Sequence, residues 1–104
     1  MALIWSDPAI EDLQQIYTYI AQDSTTQAER VVRTLTRAAE GLVTFPFVGH
    51  KSKDVEGERE RPLSRWNYTL IYRVVADRRA EGGEAEIEVV RILGPGQQRF
   101  PAEG

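Results

Sequence analysis

Two arginines sit inside apolar, strand-like runs: Arg73 in Tyr68-Thr69-Leu70-Ile71-Tyr72-Arg73-Val74-Val75 and Arg91 in Ile87-Glu88-Val89-Val90-Arg91-Ile92-Leu93. A guanidinium among aliphatic side chains needs a partner or a working surface, because breaking a buried ion pair costs about 3–5 kcal/mol. Two roles fit. Arg73 and Arg91 can act as forked donors to an anionic group on a target or partner, or they can form structural ion pairs with Glu11, Asp12 or Glu88. Lys51, Lys53 and Arg61 lie upstream and, with Arg73, would make a phosphate-holding patch. The plainer reading has Lys51 and Lys53 as solvated loop charges balanced by Asp54, Glu56, Glu58 and Glu60.

Groups able to move a proton are scarce. His50 is the only histidine and follows Gly49 in a loop with no orienting partner, which reads as a solvent-exposed side chain rather than a base. After the last apolar run comes Gly94-Pro95-Gly96-Gln97-Gln98, which carries no titratable group; it lacks the Gly-Lys-Ser/Thr context of a phosphate loop and reads as a turn. No catalytic residue is assigned. With no cysteine and one histidine, disulfides and an ordinary zinc site are excluded, and neither a metal nor a cofactor is expected. The remaining candidates are contact residues: Tyr19, off the apolar face of its helix, and Trp66 beside Arg65, with Arg61, Arg73, Arg91 and Arg99 as cations for a target or partner. Tyr17 and Trp5 are expected in the core.

The elements that position these residues follow from local patterning. Ala2-Leu3-Ile4-Trp5 reads as a first strand. Asp7 then serves as N-cap with Pro8 at the first helical position, and Ile10, Leu13, Ile16, Tyr17 and Ile20 share one helical face. Ser24-Thr25-Thr26-Gln27 is a capping box opening a second helix, whose stripe runs Ala28, Val31, Val32, Leu35, Ala38 or Ala39, Leu42, Val43. Two such helices with a short connection form an antiparallel hairpin against a sheet. Residues 46–60 read as a long charged loop, followed by a short strand near 61–64 whose Pro62 suits an edge, a central strand at 67–75, a polar connection through Gly82-Gly83, and a last strand at about 86–93. The fold class is therefore α+β: a strand, a helix hairpin and a three-stranded antiparallel meander, in the order β-α-α-β-β-β. One domain over 1–104 is expected, with 94–104 an irregular tail.

The net charge of −3, from 13 basic and 16 acidic residues, gives no long-range attraction for nucleic acid, so direct nucleic-acid binding is not favoured and would have to be local. Residues 1–44 hold three basic and six acidic residues, and the rest hold ten of each. No run approaches the roughly 18–20 apolar residues of a membrane span, and the start resembles no signal peptide; a cytoplasmic protein without membrane contact is expected.

In this order, Ala9-Ile10-Glu11-Asp12-Leu13-Gln14-Gln15-Ile16-Tyr17-Thr18-Tyr19-Ile20-Ala21, Ala28-Glu29-Arg30-Val31, Leu42-Val43-Thr44-Phe45-Pro46 with Gly49, Arg61-Pro62-Leu63, Tyr68-Thr69-Leu70-Ile71-Tyr72-Arg73 and Val90-Arg91-Ile92-Leu93 resemble the ParE/RelE superfamily of bacterial toxins, and its ParE branch most. The resemblance covers nearly the whole chain. It implies a curved antiparallel sheet on a helix hairpin, a ParD-like antitoxin that wraps the toxin, a higher toxin–antitoxin oligomer, and growth arrest through poisoning of DNA gyrase. The RelE branch instead cuts ribosome-bound mRNA, which would use Lys51, Lys53, Arg61 and Arg73 to hold RNA. The missing acid or base after the last strand counts against that branch. A toxin-like module that only binds its antitoxin is the remaining alternative, since Gly94 stands where the ParE branch often has a histidine.

Overall fold

Ser6, not Asp7, starts the first helix. Both residues are good caps, but the Ser6 hydroxyl accepts the Ala9 N–H at 3.1 Å, which places Asp7 and Pro8 inside the first turn. The structure is a computed structural model and describes residues 2–95. In chain order it has β1 (Leu3–Trp5), α1 (Asp7–Ala21), α2 (Thr25–Gly41), β2 (His50–Lys51), β3 (Arg59–Leu63), β4 (Tyr68–Asp77) and β5 (Ala85–Leu93). The capping box at α2 forms as expected, with Ser24 Oγ accepting the Gln27 N–H at 3.1 Å.

The five strands make one sheet in the order β1-β5-β4-β3-β2. The α+β class and the meander β3-β4-β5 match the sequence reading; two details do not. The sheet is mixed rather than antiparallel, because β1 runs parallel to β5 with Leu3 opposite Ile87. The segment expected as loop contains β2, which pairs His50 with Glu60 and Lys51 with Arg59. Two residues are too few to leave a period in the sequence. Pro62 lies beyond the reach of β2, on a stretch of β3 whose outer side needs no ladder donor.

The helix pair covers one face of the sheet. Ala9, Val31, Leu35, Ala39 and Leu42 meet Leu70, Tyr72, Ile87, Val89 and Ile92 there, all buried. Burying each large aliphatic side chain contributes about 1.5–3 kcal/mol. Tyr72 also carries a polar handle: its hydroxyl donates to the Pro46 carbonyl at 2.7 Å and accepts the Gly49 N–H at 3.1 Å, which ties the loop after α2 to the core. Gly49 is buried there, and a Cβ would collide with the Glu60 carbonyl oxygen, so only glycine fits.

Beyond Trp5, β1 no longer protects the edge of β5, and side chains take over. Ile71 pairs with Arg91 and Tyr72 with Val89, leaving Val90 as a bulge. Ser6 Oγ donates to the Val90 carbonyl at 2.7 Å, and Asp12 accepts the Ile92 N–H at 2.9 Å. The start of α1 thus completes the ladder that β1 began.

Candidate partner-binding surface

α1 is incompletely covered. Of its residues only Ala9 is fully buried, while Ile10, Tyr17 and Tyr19 are 42%, 37% and 74% exposed. Tyr17, expected in the core, therefore stands at the surface one turn-pair along from Ile10. Tyr19 borders an open cleft of about 440 Å³ lined by Glu11, Gln14, Gln15, Thr18 and Gln22. It also borders a second cleft, shared with Asp12, Ile16, Tyr68 and Ile92, where α1 meets the sheet. Burial, and then the nearby Tyr19 phenol, raise the Tyr68 hydroxyl above its ordinary pKa of 10.0. A second apolar group, Phe45, Phe47 and Val48, is exposed on the loop after α2. Phe47 lies under two guanidinium groups, Arg59 at 5.1 Å and Arg79 at 5.6 Å.

The two embedded arginines have partners in the protein. Arg91 meets Asp12 through both forks, at 2.7 and 2.9 Å, and this carboxylate holds its pKa above the ordinary arginine value. Arg73 faces buried Glu58 at 3.9 Å, within the stretch 46–60 expected as a loop. Asp12 was one of the three acids proposed; Glu58 was not, because its approach depends on the turn at Gly57, which has a φ of 84°. Arg73 and Arg91 do not face each other across strands: Arg73 pairs with Glu88 and Arg91 with Ile71.

The four RNA-contact candidates do not gather on one surface. Arg61 pairs with Leu70 and Lys51 with Arg59, which pairs with Tyr72, so both share the face of the core residues. Arg73 follows Tyr72 and points to the other face. Lys53 lies in the bend after β2. Arg61 donates to the Pro62 carbonyl at 3.1 Å. His50 is exposed, with Nε2 3.4 Å from a Glu60 oxygen, a partner set by the β2–β3 pairing that the sequence did not reveal. Arg65 lies over the Trp66 ring at 4.7 Å, in the turn between β3 and β4 that Asn67 closes with a φ of 58°. Arg99 lies outside the described residues. Among the described residues no group of histidines and carboxylates is placed to hold a metal, and no helix is long and apolar enough to cross a membrane.

A helix hairpin on an open mixed sheet, with an uncovered apolar face on the first helix, is the form of a small toxin of the toxin–antitoxin class. The family model of the ParE toxin of type II toxin–antitoxin systems, parDE, matches residues 3–99. The chain belongs to that family. Among solved structures it resembles one described as the chromosomal ParDE toxin–antitoxin system from P. aeruginosa, with a TM-score of 0.71 and 28% identity over 90% of this chain and 95% of that one. No curated protein matches the chain.

Proposed function

We propose that this toxin arrests growth by binding and poisoning DNA gyrase, and that a ParD-like antitoxin neutralises it by covering the exposed face of α1. The observation that carries this reading beyond family membership is the state of the arginines. Arg91 is held by Asp12 and Arg73 faces Glu58, while Lys51 and Arg61 stand on the opposite side of the sheet from Arg73. A nuclease needs converging cations at the scissile phosphate and a group to move a proton. That convergence is missing among these residues, which favours action by protein contact. Ile10 and Tyr17 on one flank of α1 and Tyr19 on the opposite flank supply exposed apolar and aromatic groups of the kind a protein partner buries.

The deciding experiment runs gyrase supercoiling and DNA-cleavage assays beside a ribosome-dependent mRNA-cleavage assay, all from one preparation of toxin. Inhibited supercoiling with gyrase-dependent breaks and intact mRNA supports the proposal. Intact gyrase activity with cut mRNA replaces it by the endonuclease reading, and no effect on either, with normal growth on expression, leaves a module that only binds its antitoxin.

A further inference from the structure

All three basic residues of the first 44 residues stand on one face of α2: Arg30, Arg33 and Arg37, at helical spacings of three and four. The β3–β4 turn brings a fourth guanidinium to them. Arg30, Arg33, Thr34 and Arg37 line an open cleft of about 250 Å³ together with Arg65 and Trp66, and no carboxylate lines it. The four arginines are exposed, and among the described residues none forms an ion pair. The contrast with Arg73, Arg78, Arg79 and Arg91 is the informative point: each of those faces a carboxylate, and Arg59 and Arg61 donate to backbone carbonyls, whereas here four guanidinium groups gather without an ion pair. Like charges one turn apart weaken a helix, so the cluster is a standing cost in the free protein.

We propose that this cleft binds the phosphodiester backbone of nucleic acid, duplex DNA in the first instance. Guanidinium forks match phosphate oxygens bidentately, and the Thr34 hydroxyl adds a neutral donor. Arg30 to Arg37 span roughly 10 Å of helix axis at about 1.5 Å per residue. A duplex carries about one charge per 1.7 Å of axis, so several phosphates fall within that reach. A peptide would need carboxylates at each successive turn to offer the same density. Arg65 already occupies a face of the Trp66 ring, so the cleft is suited to the backbone rather than to stacked bases. The chain-wide charge of −3 opposes approach from a distance, which makes the contact short-ranged and salt-sensitive. It does not depend on which enzyme the toxin inhibits.

The test is fluorescence anisotropy of the full-length toxin with a labelled duplex of arbitrary sequence, a matching single strand and a poly-glutamate peptide. Three or four phosphate contacts weaken duplex binding roughly 40- to 150-fold between about 50 and 200 mM salt. Arg33→Ala with Arg37→Ala is expected to lower affinity at least tenfold and to reduce the log–log salt slope by about two. Both substitutions favour helix, and Arg78→Ala, removing an arginine paired with Glu86, is expected to leave binding unchanged. Duplex binding that is absent, or unaltered in the double variant, overturns the proposal. So does tighter binding of poly-glutamate than of DNA, which would assign the cleft to an acidic protein segment.

Discussion

Asp12 holds β5 at two points: its carboxylate takes both forks of Arg91, at 2.7 and 2.9 Å, and one of the same oxygens accepts the Ile92 N–H at 2.9 Å. The two residues are 79 positions apart, so one side chain closes the fold across nearly its whole length. Removing either partner should therefore not cost the same. Asp12→Ala leaves a backbone donor and a guanidinium unmatched and is expected to destabilise by about 2–3 kcal/mol. Arg91→Ala leaves Asp12 its backbone bond and some access to water, for a cost of about 1 kcal/mol. Urea unfolding of both variants checks the order, and equal losses would mean that the Ile92 bond contributes nothing.

Tyr72 and Gly49 make a second such closure. Tyr72→Phe keeps the ring but abandons the buried Pro46 carbonyl and Gly49 N–H, a loss of about 1–3 kcal/mol. The effect should be local as well as global, seen as faster amide hydrogen exchange at Gly49 and in β2. Gly49→Ala should be worse, since relief of its clash with Glu60 requires moving β2 off β3.

Tyr68 gives a pH dependence with a definite sign. Its hydroxyl is raised above 10.0 in the folded protein, by burial first and Tyr19 second. The neutral phenol is thus the form that folding favours. Its contribution is fully present below the unfolded value of 10.0 and is lost as pH rises through the higher folded value. Tyr68→Phe is expected to flatten the decline in stability that begins near the unfolded value of 10.0, measured by urea unfolding across the alkaline range. Ultraviolet titration of wild type should show one phenol ionising later than in Tyr68→Phe.

The tail gives a functional prediction that rests on the gyrase reading. Residues 96–104 follow Gly94 and Pro95, where β5 has ended. Deleting them is expected to preserve the cooperative melt and antitoxin binding while reducing inhibition of supercoiling. Unchanged inhibition would remove the tail from the mechanism.

Much of this architecture was legible because it is locally encoded. The α2 stripe and its Ser24 cap are periodic signals, and the apolar residues on both faces of β4 announce a central strand. The parts that were not legible depend on distant partners. Ser6 and Asp7 are equivalent as caps until the Val90 bulge selects the residue that can also bond its carbonyl. Arg73 could not be matched to Glu58 without the turn at Gly57, and nothing local in the sequence places Arg65 and Trp66 beside Arg30, Arg33 and Arg37, which the β3–β4 turn brings together. Tyr17 was misplaced because a helical stripe names the inward direction but not how far the neighbouring layer extends.

The treatment of the strand edges bears on how the free toxin behaves when concentrated. Cross-β growth requires a long, flat row of unpaired backbone groups. Here β1 ends after three residues and β2 after two, the overhang of β5 is occupied by Ser6 and Asp12, and that of β3 contains Pro62. The longest row without a strand neighbour on one side among the described residues is the end of β4, Arg73–Asp77, which β3 does not reach; it is five residues long and carries a charge at each end, a poor template for fibrils. What remains to drive self-association is the side-chain surface at Phe45, Phe47 and Val48 and along α1. Such association buries apolar area without a backbone ladder, so it should be amorphous, dissolve on dilution and weaken on cooling.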